Sequence, residues 1–402
     1  MIGALDTKGK EVEFVRSEIS GRGHVAVVMD VGVLGDPWFV PDISRRDVSE
    51  ASGSDLSALV AKADRGDAIA AMSMGAAVIA QELYAAGKID AILGLGGGAG
   101  TAIATAAMRS LPMGVPKVMF STMSGGDVRE YVGTKDIVMF PTIVDVCGLN
   151  RISIRLLTQC AGAICGMIQS PSITSNQAPL LGASMFGNTT IGIGIAKEVL
   201  ERAGYEVLIF HANGIGGKTL EDLIQSGLIS GVLDLTTTEL ADELVGGVLS
   251  AGPGRLEAGA KSGKPVVIAP GCLDMVNFWT PETVPEKFKA RLFYRHNPSV
   301  TLMRTSIEEN VCLGSILAAK LNRSSGPVRV YLPLRGLSAI SAPGGPFWWP
   351  EADRALFKSI KENLSREILV HEIDANINDA EFATAAARGL LAMLKETRDG
   401  NA

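Results

Sequence analysis

The chain has 402 residues, which is more than one ordinary hydrophobic core accommodates, so two domains are expected. Its formal net charge of −6 leaves no basic field that would draw the protein to nucleic acid or to an anionic membrane. The five cysteines are dispersed without a CxxC pair, and only four histidines are present. No metal site is therefore predicted, and free thiols in a reducing, cytoplasmic compartment are expected.

Apolar, strand-like runs alternate with amphipathic segments along the whole sequence. This rhythm predicts two open, mostly parallel, Rossmann-like α/β domains with a cleft between them. A polar stretch rich in serine and proline, residues 171–179, is the expected linker, which places the domains at 1–174 and 175–402. A long helix with breaks near its glycines is predicted at 55–87, and residues 278–306 are expected to be irregular.

The most informative stretch is residues 89–108, IDAILGLGGGAGTAIATAAM. A buried strand, a glycine loop and a helix-forming segment follow one another here. In that geometry backbone N–H groups and the helix N-terminus bind a phosphate, and glycine lets the ligand approach. Gly94-x-Gly96-x-x-Ala99 also matches the alanine form of the dinucleotide fingerprint, with a tight turn that binds no ligand as the alternative. The expected phosphate contacts are Gly96, Gly97, Gly98, Gly100 and Thr101.

Loops after the other strands of the first domain are expected beside the glycine loop, because parallel strands end at one edge of a sheet. We expect Lys8 to meet a phosphate and Asp6 a ribose or a metal ion, with helix capping as the alternative. Asp30 ends the second strand, where an acid can bind a ribose hydroxyl. Together these loops predict an adenine nucleotide such as ATP, with or without Mg²⁺, as the cofactor. The candidates in them are Asp6, Thr7, Lys8, Asp30, Ser121 and Thr122.

A second phosphate-binding candidate lies in the second domain. Residues 212–219, ANGIGGKT, match a P-loop in all but the first position, and they lie between a predicted strand and a predicted helix. Lys218 would be the phosphate-binding lysine, and Asp234, at the end of the next strand, the magnesium-binding acid. A P-loop NTPase is therefore one hypothesis, and a glycine-rich turn that lines a cleft is the other.

Polar groups that could carry a reaction also fall in the second domain, after strands or in the irregular region. Either of two histidines could be a general base near neutral pH, and Arg291 could hold a carboxylate or a phosphate. A lone histidine is more often structural, and Glu239 could instead cap its own helix. The set suggests proton or phosphoryl transfer on a small anionic or sugar-like metabolite. The rival hypothesis is a nucleotide-binding interaction protein without turnover. The candidates are His211, Glu239, Asp274, Arg291 and His296.

Five segments that occur together carry a family resemblance. They are LDTKG at 5–9, GLGGGAGT at 94–101, FHANGIGGKTLEDLI at 210–224, LDLTTTELADELVGG at 233–247 and HNPSVTLMRT at 296–305. In combination they resemble the uncharacterised microbial family that is similar to the amino-terminal half of the tomato mosaic virus resistance protein, the Tm-one-like ATP-binding family. The resemblance covers nearly the whole chain. It implies two α/β domains, ATP bound by the first of them, a homodimer, and no established reaction.

Overall fold

A computed structural model describes residues 1–170 and 178–399 of the chain. Contacts within it divide the chain into two units, Met1–Thr174 and Ser175–Ala402. Most of the expected linker, residues 171–177, lies outside the described residues. Each unit is an α/β layer structure with its own core, and the predicted two-domain α/β fold is confirmed.

Five parallel strands form the sheet of the first unit. They are β1 (Ile2–Gly3), β2 (Met29–Asp30), β3 (Ile92–Gly96), β4 (Lys117–Ser121) and β5 (Val138–Pro141). The helices of this unit are α1 (Leu5–Ser20), α2 (Arg45–Ala51), α3 (Leu56–Lys62), α4 (Arg65–Ala85), α5 (Gly98–Ser110), α6 (Arg129–Val132) and α7 (Arg151–Gln169). The strand order is β2-β1-β3-β4-β5, so the direction of winding reverses between β1 and β3. Ligands of open α/β sheets bind beside the carboxyl ends of the strands at such a reversal.

Two hydrophobic clusters cover the two faces of this sheet. The first includes Met72 of α4 and Ile103 of α5, and the second includes Val12 of α1 and Leu157 of α7. Burial on both faces explains why β3 and β4 are continuous apolar runs rather than alternating ones. By length and composition alone, α4 and α7 could cross a membrane. A core helix passes the same test, and the cytoplasmic location stays a prediction.

A six-stranded parallel sheet forms the centre of the second unit. Its strands are β6 (Leu180–Met185), β7 (Glu206–His211), β8 (Gly231–Thr236), β9 (Val266–Gly271), β13 (Val328–Pro333) and β14 (Leu369–Ile373). The helices are α8 (Thr190–Arg202), α9 (Ile215–Gln225), α10 (Glu239–Val245), α11 (Glu257–Lys261), α12 (Ile307–Leu321), α13 (Pro350–Asn363) and α14 (Ala380–Asp399). The order β14-β13-β9-β8-β6-β7 places the reversal between β6 and β8. The two units therefore share one winding scheme.

The region expected to be irregular contains regular structure instead. Strands β10 (Met275–Phe278), β11 (Phe293–Asn297) and β12 (Val300–Arg304) form an antiparallel sheet in the order β10-β12-β11. The sequence prediction failed here because β11 ends in three exposed polar residues and carries little apolar alternation. Tertiary contacts stabilise these strands although their local sequence pattern does not indicate them. Leu302 and Met275 pack against Phe186 in a small core of their own.

Candidate functional site

A cleft of about 600 Å³ opens in the first unit where the winding reverses between β1 and β3. Its volume is within the range of small-molecule sites, roughly 300–1,000 Å³. Every residue that lines it belongs to the first unit. The lining comes from three strand-end segments and from α3 and α4. It includes Asp6, Thr7, Lys8, Val31–Leu34, Leu59, Val60, Arg65, Met72 and Leu95–Gly100.

The glycine loop forms one wall of this cleft, as the sequence predicts. Helix α5 begins at Gly98, directly after β3, and Gly97 is its N-cap without any side-chain hydrogen bond. Two other glycines of the loop are explained by packing inside the protein. A Cβ on Gly96 would lie 2.7 Å from the Cα of Gly100, and one on Gly100 would lie 3.2 Å from the carbonyl oxygen of Leu95. These glycines let the helix start close against the strand.

Gly97 and Gly98 have no comparable reason to be glycine. A Cβ on Gly97 would lie 3.6 Å from its nearest neighbour, the Oγ1 of Thr122, and one on Gly98 would lie 4.0 Å from the Sδ of Met123. Neither residue has a positive φ. Both line the cleft at the N-terminus of a thirteen-residue helix that has no acidic residue in its first turn. A wall of bare backbone N–H groups at the positive end of a helix is suited to an anion.

Asp6 borders the same cleft, although its local structure differs from the prediction. Asp6 was expected in a loop, yet α1 already begins at Leu5, so Asp6 lies in the first helical turn. One carboxylate oxygen, Oδ2, accepts from the backbone N–H groups of Leu34 at 2.8 Å and Gly35 at 3.2 Å. The other oxygen, Oδ1, is buried and has no hydrogen-bond partner among the described residues. An unpaired buried acceptor is costly, which favours a donor from a ligand or water.

Lys8 and Thr7 also line the cleft from α1. The backbone of Lys8 leaves helical geometry, with φ −127° and ψ 16°, so the helix is kinked there. The ammonium of Lys8 donates a hydrogen bond to the carbonyl oxygen of Val146. Lys8 is therefore anchored near the cleft wall by a neutral acceptor, and a phosphate would be a stronger partner for its charge.

Asp30 does not have the predicted geometry for binding a ribose. It is 1% exposed, and its Oδ1 accepts from the backbone N–H groups of Leu5 and Gly32, both at 2.9 Å. Burial raises the pKa of this carboxyl, and the two N–H donors oppose that rise. Asp30 thus holds the start of α1 against the loop after β2, and this geometry offers no support for the predicted ligand contact.

Two of the hydroxyl side chains that were predicted to contact the ligand also point into the protein. The Oγ1 of Thr101 and the Oγ of Ser121 form a buried hydrogen bond of 2.6 Å. This bond ties the first turn of α5 to the end of β4, so both side chains stabilise the loop rather than reach into the cleft. Thr122 is exposed beside Gly97 and is not part of the cleft lining.

The apolar half of the cleft was missed by sequence reasoning. Leu59 and Val60 of α3 and Met72 of α4 line it. A single helix was predicted across this region with breaks at glycines, but the break falls at Ala63 and Asp64 instead. The sequence feature that indicates this break is Asp64. Its side chain accepts from the N–H of Asp67 at 3.0 Å and so caps the start of α4.

The P-loop hypothesis for the second unit is not supported by this geometry, because the loop already holds an anion from the protein. The carboxylate of Glu239 accepts from the N–H groups of Gly214 at 2.7 Å and Gly217 at 3.1 Å. A Cβ on Gly217 would lie 2.2 Å from the Oε2 of Glu239, so this glycine makes room for a carboxylate, not for a nucleotide. Lys218 is on the exposed side of α9.

Asp234, the proposed magnesium-binding acid, is also occupied. It forms a two-pronged ion pair with Arg255, with N–O distances of 2.6 and 2.7 Å, and accepts from Ser184 at 2.6 Å. Arg255 is fully buried and also pairs with Glu239 at 2.6 Å and with Glu221 at 3.2 Å. Burial raises the pKa of the Glu221 and Glu239 carboxyls, and the charge of Arg255 opposes that rise. The reversal point of the second unit is therefore filled by its own buried ion network.

Replacing Lys218 by alanine is expected to leave ATP affinity and any ATPase rate unchanged within about twofold, because no phosphate site adjoins it. The measurements are a calorimetric ATP titration and a phosphate-release assay on the parent and the variant. Lys197→Ala is the matched control, because Lys197 lies in the helix before it and forms an exposed pair with Glu201. A selective loss of nucleotide binding or hydrolysis in the Lys218 variant would restore the P-loop hypothesis.

Two further residues that were predicted to take part in a reaction, Asp274 and Arg291, have partners within the second unit. Asp274 is fully buried, burial raises its pKa, and its Oδ2 accepts from the hydroxyl of Ser338 at 2.8 Å. The Oδ1 of Asp274 has no partner among the described residues. Arg291 donates two hydrogen bonds to Glu309, at 2.9 and 2.6 Å, and a third to the carbonyl of Arg304. Asp274 is closed off from solvent and Arg291 is already paired with Glu309, so this geometry offers no support for the predicted substrate contact of either residue.

The two histidines remain exposed and lie against one short segment. The ring of His211 stacks on Phe186 with 5.2 Å between the centroids, and burial lowers the pKa of His211. The Nε2 of His296 lies 3.9 Å from the position that a Cβ would take on Gly187. The two candidates thus contact neighbouring residues, Phe186 and Gly187, of one segment.

Two family models together match nearly the whole chain. The Uncharacterised protein family (UPF0261) N-terminal domain matches residues 1–172, and the Uncharacterised protein family (UPF0261) C-terminal domain matches residues 178–394. A UPF0261 protein of Clostridium tetani is 49% identical over 399 residues, which is 98% of each chain. Another UPF0261 protein, from Rhizobium meliloti, is 44% identical over 388 residues, which is 96% of each chain.

A plant relative confirms the resemblance drawn from the sequence motifs. The ToMV resistance protein Tm-1(GCR237) of Solanum lycopersicum is 38% identical over 425 aligned residues. The alignment covers 99% of this chain and 56% of the tomato protein, so the tomato protein is considerably longer. On the two domain matches and on these identities, the chain belongs to the uncharacterised protein family UPF0261.

Proposed function

We propose that the first unit binds an adenine nucleotide in the cleft at the β1/β3 reversal, with its phosphates on the glycine loop. The observation that carries this proposal is the pair of glycines, Gly97 and Gly98. They expose an uncapped helix N-terminus to the cleft, and neither internal packing nor backbone conformation requires them to be glycine. A ligand that approaches the backbone closely would explain why both positions are glycine.

A comparison of the two units supports the proposal. Both wind in the same order, yet the reversal point of the first opens into a cleft, whereas that of the second is closed by Arg255 and its carboxylates. The N–H groups of the glycine loop after β7 are occupied by Glu239, while no side chain of the described residues caps the loop after β3. The open loop is the one that needs an anion from outside.

The other groups at the cleft suit the remaining parts of a nucleotide. The ammonium of Lys8 can leave its carbonyl partner for a phosphate. The carboxylate of Asp6, whose buried Oδ1 has no partner among the described residues, would have to turn toward the cleft to accept from a ribose hydroxyl or, if Mg²⁺ accompanies the phosphates, to bind the cation. The apolar side chains of Leu59, Val60 and Met72 offer a surface for the base.

Calorimetric titration of the full chain with ATP, ADP and inorganic tripolyphosphate tests the proposal. We expect one nucleotide per chain and weaker binding of ADP, because fewer phosphate oxygens meet the helix N-terminus. Binding should also raise the unfolding temperature as the ligand concentration increases. No heat and no thermal shift at millimolar ATP, with and without Mg²⁺, would sink the proposal.

Whether binding leads to a reaction is a separate question. Glu239 and Asp274 are buried, and Arg291 is paired with Glu309, which favours a nucleotide-binding protein without turnover at those groups. A phosphate-release assay with and without a panel of small anionic and sugar-like metabolites distinguishes the two hypotheses. Stimulation by one metabolite would favour an enzyme, and no release across the panel supports the binding protein.

A further inference from the structure

Helix α3 is weakly attached to the first unit. No residue between Gly53 and Asp67 is buried, and Val60 is 51% exposed. The helix itself has seven residues, which is too short to be stable without packing. Leu56 and Leu59 are its only half-buried side chains. Little apolar area therefore holds this segment in one place, and its local opening should require little free energy.

The backbone at both ends of the segment 53–63 can change its direction. Gly53 has a φ of +77° and open space around the position of a Cβ. Ala63 has a φ of +51°, a left-handed conformation that is unfavourable for residues other than glycine. The neighbouring helices have caps of their own, because Ser44 caps α2 and Asp64 caps α4. The segment between 53 and 63 can thus move while the elements on either side keep their structure.

Two apolar residues of α3 and the residue directly after the helix face the ligand site. Leu59, Val60 and Ala63 all line the cleft whose other wall is the glycine loop. Half-exposed leucine and valine side chains that line a cleft gain free energy when a flat apolar group covers them. The base of a nucleotide is such a group, whereas its phosphates belong at the helix N-terminus of α5.

We propose that residues 53–63 form a lid that closes on the base of the bound nucleotide through Leu59 and Val60. This inference rests on the proposed function. It assigns the base to the lid and the phosphates to the glycine loop, so the two parts of the site can be tested separately with ATP and with inorganic tripolyphosphate.

The test combines amide hydrogen exchange with calorimetric titration of the full chain. We expect ATP to protect amides within residues 53–63, and tripolyphosphate to leave them unprotected. In a double variant, Leu59→Ala with Val60→Ala, ATP affinity should fall by about threefold to tenfold while tripolyphosphate affinity is unchanged. Alanine has a higher helix propensity than leucine or valine, so α3 should still form. A matched control, Ile152→Ala with Ile154→Ala, removes two exposed side chains from α7, outside the cleft.

The possible failures are distinguishable. If the parent protein binds neither ATP nor tripolyphosphate, the proposed function fails and the lid fails with it. If ATP binds the parent and the double variant equally well and leaves the exchange of residues 53–63 unchanged, only the lid is overturned. The glycine-loop site would then stand without a contribution from α3.

Discussion

Replacement of Gly98 by valine is expected to lower the affinity for ATP by about 100-fold or more. The branched side chain would occupy the cleft beside the first N–H groups of α5 and hold the phosphates away from them. Two charge-assisted hydrogen bonds are at stake, each contributing about 1.5–3 kcal/mol, which corresponds to the stated loss. The fold should tolerate the change, since a Cβ at this position has 4.0 Å to its nearest neighbour.

The controls separate blocked binding from damaged structure. Gly98→Ala should give an intermediate loss, because one methyl group obstructs less of the approach. Gly166→Val places the same side chain on α7 of the same unit, where a Cβ meets nothing within 4 Å. We expect this variant to bind ATP like the parent. Equal ATP affinity in Gly98→Val and the parent, with both folded by circular dichroism, would contradict the assignment of the phosphates to this loop.

Replacement of Arg255 by methionine is expected to reduce the free energy of unfolding by about 3–5 kcal/mol, as is typical when one partner of a buried ion pair is removed. The guanidinium is fully buried and pairs with three carboxylates, those of Glu221, Asp234 and Glu239. Without it these carboxylates would face one another in a medium of low polarity. Glu239 also holds the N–H groups of the glycine loop after β7, so that loop should loosen as well.

Arg335→Met is the matched control for this prediction. Arg335 forms an equally well-aligned pair with Asp374, at 2.8 and 2.9 Å, but both side chains are exposed. Exposed pairs contribute little to stability because solvent screens them, so this variant should unfold close to the parent. Denaturant unfolding followed by circular dichroism measures both changes. Similar destabilisation by the two substitutions would show that the buried Arg255 network contributes no more to stability than an exposed pair.

Local sequence was sufficient to locate the main features of the first unit. The apolar run before the glycines became β3, and the alanine-rich segment after them became α5, starting at Gly98. Both predictions succeeded because residues close in sequence specify them: an apolar run with a glycine break for the strand, and helix formers after it. The same local signals, repeated along the chain, indicated two α/β domains, and the motif set indicated the family.

Long-range contacts determined which of the candidate loops is open. The loops after β3 and β7 are both glycine-rich, and nothing local distinguishes them as anion sites. Glu239 follows Gly214 by 25 positions, yet its carboxylate fills that loop, because buried Arg255 makes a buried carboxylate tolerable there. Asp30 is likewise turned to backbone donors by the packing of α1. A polar residue at a strand end can serve a ligand or the protein, and only its partners in three dimensions determine which of the two it serves.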